Sequence, residues 1–168
     1  MTLIYPGRYT AVTEDPFVVF LIGMRINKLW ALHKWLPVAK AMPPMLQALQ
    51  ANQEKGFLGG HSFFGGRTSL LLQYWQSFAD LEAFARNPSD PHLAAWQRFN
   101  QAVGADGSVG IWHETYIIQP NQYECIYGNM PRFGLGGVMD HVEAVGRRHT
   151  ARQRLDKQTN QLIPMETS

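Results

Sequence analysis

The chain has 168 residues, of which 45% are hydrophobic and 17% charged, and this composition fits a globular protein with a sizeable core. Residues 1–146 hold ten Lys/Arg against eleven Asp/Glu, so no basic stripe of the kind that binds nucleic acid is expected. The net charge of +2 comes from residues 147–168, which hold five Lys/Arg against two Asp/Glu and are predicted to be a basic, flexible tail, dispensable to the fold.

Residues 1–16 are predicted to be an N-terminal arm, because a Pro-Gly and an Asp-Pro pair within them are turn signals. The start of the chain lacks a basic segment followed by an apolar run, so no secretory signal is expected and cytoplasmic residence is the default. The apolar run Phe17–Met24 has only eight residues, far short of a membrane span. The sequence therefore predicts one domain over residues 1–146, arm included, and then the tail.

The rest of the chain alternates between strand and helix patterns. Branched and aromatic runs predict strands at Phe17–Ile26, Phe57–Phe64, Arg67–Gln76, Val109–Ile118 and Tyr123–Tyr127. Three-to-four spacing of apolar residues and N-cap signals predict helices over residues 29–52, with a kink or break near Met42, and over 78–86, 90–103 and 138–145. The Gly65-Gly66 pair predicts a hairpin turn between the second and third strands.

This order of elements is the split β-α-β pattern of an α+β, ferredoxin-like domain, whose antiparallel sheet carries helices on one face. The strands Phe17–Ile26 and Val109–Ile118 are nevertheless apolar on both faces, so the second face needs a cover. We expect that cover to be the sheet of a second copy, which predicts a homodimer formed through sheet faces.

The strand Val109–Ile118 (VGIWHETYII) contains the densest group of chemically active side chains. Because side chains alternate along a strand, His113 is expected on the face opposite to Trp112 and Glu114. One site is therefore not expected to use both His113 and Glu114 unless a bulge intervenes. The sequence does not decide which of the two faces is inside.

Three segments together resemble a known family: Tyr74–Ser77 with Leu81–Arg86, His92–Phe99 (HLAAWQRF) and Gly110–Tyr116 (GIWHETY), supported by Tyr123–Pro131 and Gly134–Gly136. They are similar to an uncharacterised family grouped with the monooxygenase of fumagillin biosynthesis, within the dimeric α+β barrel superfamily. The resemblance implies a ferredoxin-like protomer whose sheet packs on a second copy. The superfamily includes cofactor-independent monooxygenases, haem-dependent aldoxime dehydratases, peroxidases and ligand-binding regulators, and the fold alone does not choose among them.

Two histidines are the candidate reactive residues. His92 begins a predicted helix, whose positive end favours a neutral ring, and lies on the apolar stripe expected to face the sheet. A neutral imidazole there is suited to be a general base or a haem ligand. His113 is the second candidate, with a buried structural histidine as the alternative interpretation. We expect His92 to be the reactive one and His113 to affect mainly stability.

Glu114 is expected either to pair with Arg25 or Arg67, or to be protonated and catalytic. Arg25, Tyr74 and Trp96 are predicted to point between sheet and helices and to bind substrate, together with Trp112. An apolar cavity with a few polar groups suits a small aromatic or polyketide-like molecule. No phosphate loop, catalytic triad or metal-ligand spacing is present in the sequence, so no metal site is predicted.

Three functions remain open from the sequence. The first is a monooxygenase-like enzyme without a cofactor, in which His92 or His113 is the base and Glu114 a further catalytic candidate. The second is a haem protein of the dehydratase or peroxidase kind, with one of the two histidines as axial ligand. The third is a dimer that binds a small molecule without turning it over.

Overall fold

The computed structural model describes residues 2–37, 39–40, 55–87 and 106–156. These residues belong to two compact units, one formed by Val18–Tyr116 and the other by Met1–Phe17 with Ile117–Ser168. The strands are β1 Tyr5–Val12, β2 Phe17–Ile26, β3 Phe57–Gly65, β4 Thr68–Trp75, β5 Val109–Ile118, β6 Tyr127–Met130 and β7 Asp140–Glu143. The helices that these residues define in full are α1 Phe78–Arg86 and α2 Ala151–Arg154.

The larger sheet has four strands in the order β3-β4-β2-β5. Strands β2 and β4, the first and third of this sheet along the chain, are central, and β3 and β5 lie at the edges. This is the ferredoxin-like arrangement predicted from the sequence. Strand β4 is antiparallel to both neighbours, with Trp75 opposite Val18 on β2 and opposite Phe57 on β3. The predicted strands and the α+β fold class are therefore confirmed for this part of the chain.

Helices cover one face of this sheet, which we call the helix-side face. Leu81 and Phe84 of α1 pack against a core of Val18, Phe57 and Trp75 on that face. Residues 32–37 and 39–40 are helical too, and Trp35 and Ala39 pack on Met24 and Val109 farther along the same face. The Ser77 hydroxyl accepts a hydrogen bond from the backbone of Asp80 and so caps α1. The remainder of the helix predicted over residues 29–52, and the one over 90–103, lie outside the described residues.

The second sheet is formed by three strands in the order β6-β1-β7. Its central strand, β1, lies in the predicted N-terminal arm, where the sequence predicted no strand. The residues predicted as a last strand, Tyr123–Tyr127, are mostly irregular, and the strand begins only at Tyr127. The helix predicted over residues 138–145 is wrong as well, because Asp140–Glu143 pairs with β1 as a strand.

Aromatic rings hold the three-stranded sheet together. His141 stacks on Tyr9 with ring centroids 4.6 Å apart, and its edge meets Tyr5 at 5.0 Å. Gly136 lies so close that a Cβ there would be 2.8 Å from the Tyr127 ring, and its backbone N–H donates to the Tyr127 hydroxyl. The cluster is thus built around an imidazole, and glycine is required where the chain passes over it.

The basic segment after residue 146 is ordered as far as the structure describes it. Arg154 is only 4% exposed, pairs with Glu124, and donates to the carbonyl oxygens of Arg148 and His149. Thr150 and Gln153 form a capping box that begins α2. Residues 147–156 therefore differ from the flexible tail expected from their composition. The division into one domain over residues 1–146 and a tail over 147–168 stays a prediction.

Candidate functional site

Three side chains of different chemistry meet on the helix-side face. Gln73 on β4 lies directly opposite Phe20 on β2. The Phe20 ring is 5.9 Å from the imidazole of His113 on β5, measured between centroids. The three strands are neighbours in the order β4-β2-β5, so an amide, a phenyl ring and an imidazole cross the sheet in one row. We call this group the Gln73–Phe20–His113 row.

Gln73 is the buried polar residue of this row, with 2% of its surface exposed. Its Oε1 accepts a hydrogen bond of 2.8 Å from the indole Nε1 of Trp75, two residues along the same face. An indole N–H only donates, so this bond fixes which end of the amide is the oxygen. The amide nitrogen consequently points away from Trp75 with two N–H donors.

His113 is positioned by the loop that precedes β5. The Asp106 carboxylate accepts from Lys34 Nζ at 2.6 Å and from the backbone and hydroxyl of Ser108, and these bonds, that of Lys34 first, hold the pKa of Asp106 well below its usual range. The Asn27 side chain donates to the carbonyl of Gly107, and its backbone to that of Ser108. The start of β5 is thus tied both to the end of β2 and to the helix at residues 32–40.

The opposite face of the four-stranded sheet, which we call the outer face, carries four of the predicted site residues: Arg25, Tyr74, Trp112 and Glu114. The strand register shows this. Trp75 packs beneath α1, so the preceding residue Tyr74 and its partner Val19 on β2 lie on the opposite face. The expected position of Arg25 and Tyr74 between sheet and helices is therefore wrong. Trp112 lies against the backbone of Gly23, where a Cβ would be 2.5 Å from the indole nitrogen.

Glu114 forms its hydrogen bond with a tyrosine of its own strand. The Tyr116 hydroxyl donates to Glu114 Oε2 at 2.5 Å, and this bond to a carboxylate raises the pKa of Tyr116. Among the described residues Glu114 pairs with neither Arg25 nor Arg67, the partners expected from the sequence. His113 and Glu114 do lie on opposite faces, as period two predicted.

Two of the predicted site residues, His92 and Trp96, lie outside the described residues, so their roles stay predictions. Sequence reasoning gave Gln73 no function. The available signal was a single amide between Leu72 and Tyr74 in an otherwise apolar strand. Phe20 was missed because a phenylalanine in an apolar run carries no signal of its own.

Comparison with known proteins assigns the chain to a family. The model of the family described as monooxygenase af470-like matches residues 17–135, which include β2 to β5 and the Gln73–Phe20–His113 row. The chain belongs to the monooxygenase af470-like family. Monooxygenase af470 of Aspergillus fumigatus is 28% identical over 143 residues, which are 78% of this chain and 50% of the relative. This monooxygenase af470-like chain thus spans about half the length of that curated relative.

A solved structure with a TM-score above 0.5 supports the fold of this monooxygenase af470-like chain. A crystal structure of aldoxime dehydratase superposes with a TM-score of 0.67 and 15% identity, over 82% of this chain and 44% of the dehydratase. SnoaB, a cofactor-independent oxygenase from Streptomyces nogalater, superposes with a TM-score of 0.45 and 11% identity, over 62% of this chain and 95% of SnoaB. At such identities the first likeness concerns the fold alone.

Two further properties bear on the kind of site. Within the described ranges, no three His, Cys, Asp or Glu side chains lie close enough together to bind a metal ion. None of the helices in the part of the chain that the structure describes has the length and apolar character needed to span a membrane.

Proposed function

We propose that this chain is a cofactor-independent monooxygenase-like enzyme that binds a small aromatic or enolic substrate against the helix-side face. The observation that carries the proposal is the His113 imidazole beside the Phe20 ring on the helix-side face, where His113 is exposed and not buried as the alternative interpretation expected. Membership of a family named for a monooxygenase supports the reaction class. The activity of SnoaB, described as a cofactor-independent oxygenase, illustrates chemistry that needs no bound group.

In the proposed reaction His113 is the general base. It takes a proton from an activated CH₂ or enol of the substrate, and the resulting carbanion reacts with molecular oxygen. One oxygen atom becomes a carbonyl on that carbon, and the second leaves as water with the two hydrogens of the CH₂ group. The substrate is oxidised by four electrons and oxygen is reduced by four, so no further reductant is needed. Phe20 supplies an apolar surface against which an aromatic or enolic substrate packs.

Haem chemistry was the alternative expected from the sequence, and His113 lacks one feature of the histidines that hold iron. Histidines that hold iron are usually oriented by a hydrogen bond from their second ring nitrogen. In the described part of the chain, His113 makes its ring contact with Phe20 and has no such hydrogen bond. His92, the other candidate ligand, lies outside the described residues, and no step of the proposed reaction uses haem.

The proposal is tested by oxygen uptake of the purified protein with a panel of quinols and enols, using ¹⁸O₂ to follow the label into product and water. His113→Ala should lower the turnover number by about 10²–10⁴-fold, the usual contribution of a general base. The matched control is His33→Ala, at an exposed histidine. Activity that survives in His113→Ala but disappears in His92→Ala would refute the role of His113 and support the prediction made from the sequence.

Two other outcomes would contradict the reaction class. A Soret band in the visible spectrum, retained through purification, would make the protein a haem protein. Tight binding of quinols without oxygen uptake would instead indicate a ligand-binding dimer without catalysis.

We further propose a homodimer formed through the outer faces of two four-stranded sheets. The support is apolar exposure: Phe63 and Tyr116 on that face are 40% and 47% exposed. Leu72, near the centre of the same face, is half-buried. Sedimentation equilibrium should give twice the mass of the 19.1 kDa chain, and Leu72→Glu should give a monomer. Phe64→Glu, on the other face of edge strand β3, is the control that should leave the dimer intact. A wild-type protein of 19.1 kDa at micromolar concentration would refute the dimer.

A further inference from the structure

One end of the four-stranded sheet exposes large apolar side chains to water. Trp30 is 79% exposed and Phe64 is 84% exposed. Three leucines close to Trp30 along the chain are exposed as well: Leu29, Leu32 and Leu36. Exposed apolar side chains that are gathered in one place, in contrast to single scattered ones, mark an interaction surface.

Backbone hydrogen bonds bring the two aromatic residues to the same end of the sheet. Phe64 stands next to the turn between β3 and β4, and the Arg67 carbonyl in that turn accepts a 2.8 Å hydrogen bond from the N–H of Ile26, the last residue of β2. Leu29 follows Ile26 by three residues, so their Cα atoms are at most about 11 Å apart. The β3–β4 turn and the loop after β2 therefore lie side by side.

The loop that carries Trp30 is anchored on both sides of that residue. The Leu29 carbonyl accepts a 3.1 Å hydrogen bond from the Trp35 indole. Ala31 is buried, and its N–H donates to the Lys28 carbonyl. The exposure of the Trp30 ring is thus fixed by the neighbouring residues.

The charge at this end of the sheet is positive. Residues 17–53 contain four Lys/Arg and no Asp or Glu. The loop before β5 brings one carboxylate here, that of Asp106, and it is paired with Lys34. The other cations at this end form no ion pair with a carboxylate of the described residues: Arg25, Lys28 and Arg67.

We propose that these five apolar residues and three unpaired cations, which we call the Trp30–Phe64 surface, dock the protein on an anionic lipid bilayer. Exposed aromatic side chains insert at the level of the lipid headgroups, and Lys and Arg beside them attract acidic lipids. The apolar side chains belong to a loop, a helix and a turn, and a fluid bilayer accommodates such a spread without a matching shape. Docking of this kind is peripheral and needs no spanning helix.

The test is co-sedimentation of the full chain with sucrose-loaded vesicles. The vesicles contain phosphatidylcholine alone or with about 30% phosphatidylserine, an acidic lipid. Wild-type protein should bind the acidic vesicles more than about tenfold more tightly, and added salt should weaken this binding. Arg25→Gln with Arg67→Gln should weaken it about 25-fold, about fivefold for each arginine. Trp30→Ser with Phe64→Ser should weaken it by at least about tenfold, because less apolar area is buried.

Matched controls make the same kinds of change elsewhere in the chain. Arg147→Gln with Arg152→Gln removes two exposed arginines and so changes the net charge equally. Leu3→Ser with Ile4→Ser removes two exposed apolar side chains. Both control variants should bind acidic vesicles as wild-type protein does, and near-ultraviolet circular dichroism should confirm that every variant is folded.

Three results would overturn the proposal. The first is wild-type protein that binds neither kind of vesicle or binds both equally, and a protein partner would then be the better candidate for this surface. The second is unchanged binding in both folded pairs of variants of the Trp30–Phe64 surface. The third is an equal loss in the control pairs, which would show that net charge and general stickiness explain the binding. Vesicle binding does not depend on catalysis, so the result is independent of the proposed function.

Discussion

The two sheets each enclose a polar side chain, and they hold it differently. In the four-stranded sheet the buried Gln73 amide accepts a hydrogen bond from the Trp75 indole through its oxygen. In the three-stranded sheet both ring nitrogens of His141 are fully buried and have no partner among those residues. The rings of Tyr5, Tyr9 and Tyr127 enclose that imidazole.

This difference separates a polar group that is held by a hydrogen bond from one that is held by ring packing alone. A nitrogen enclosed by aromatic rings without a hydrogen-bond partner reduces stability at every pH, and more so when it is protonated.

The largest effect is expected from the core beneath the proposed site. Trp75 is fully buried, with its ring edge against Phe57 and close to Phe84. Trp75→Ala should lower the free energy of unfolding by about 3–5 kcal/mol, because it leaves a large cavity in a rigid core. Chemical denaturation measures this value. Trp30→Ala, at a residue 79% exposed, is the control and should change stability by about 0.5 kcal/mol or less.

A smaller loss of stability is expected when Arg154, in the basic segment after residue 146, is replaced. Arg154→Met should lower the free energy of unfolding by about 1–3 kcal/mol, because Glu124 and two carbonyl groups lose their donor. Arg152→Met removes an exposed arginine of the same helix and should have little effect. Truncation after Gly146 should destabilise as Arg154→Met does. Equal stability of the truncated and full chains would restore the dispensable tail that the composition predicted.

Helix α1 should contribute about 1 kcal/mol through its cap. Ser77→Ala removes the oxygen that accepts from the Asp80 backbone at 3.1 Å, a change that typically costs about that amount. Ser77→Asp retains an acceptor and should restore most of the stability in thermal unfolding. A loss in Ser77→Asp as large as in Ser77→Ala would show that the side chain matters for a reason other than capping.

The smallest effect is a difference in pH dependence. Burial lowers the pKa of His141, and the nearby Arg132 guanidinium lowers it further. The unfolded chain therefore binds more protons than the folded one, so stability should fall as the pH drops through the unfolded pKa of about 6.5 towards the lower folded value. His141→Phe should reduce this decline in the melting temperature. His61, whose pKa burial also lowers, is present in both proteins and leaves a common background. If the melting temperatures of wild-type and His141→Phe protein depend on pH in the same way, His141 is protonated as readily in the folded protein as in the unfolded chain.

Long strands and strong caps are what the sequence determined by itself. Strands β2 and β5 and helix α1 have the predicted bounds, and the ferredoxin-like order follows from them. These features are local: an apolar run of ten residues, or a serine three residues before an aspartate, has the same meaning wherever the chain goes. The alternation of His113 and Glu114 was predictable for the same reason.

Only the tertiary structure decided which face each of those side chains occupies. A strand that is apolar on both sides does not indicate where the helices lie, and the pairing of Trp75 with Val18 beneath α1 settled it for Gln73, Tyr74 and their neighbours. The three-stranded sheet was also beyond local reasoning. Its strands β6 and β7 have four residues each, too few for a period to emerge, and β1 joins them from more than a hundred residues away. Such strands exist because the partner strand satisfies their backbone hydrogen bonds, and a short sequence carries no record of its partner.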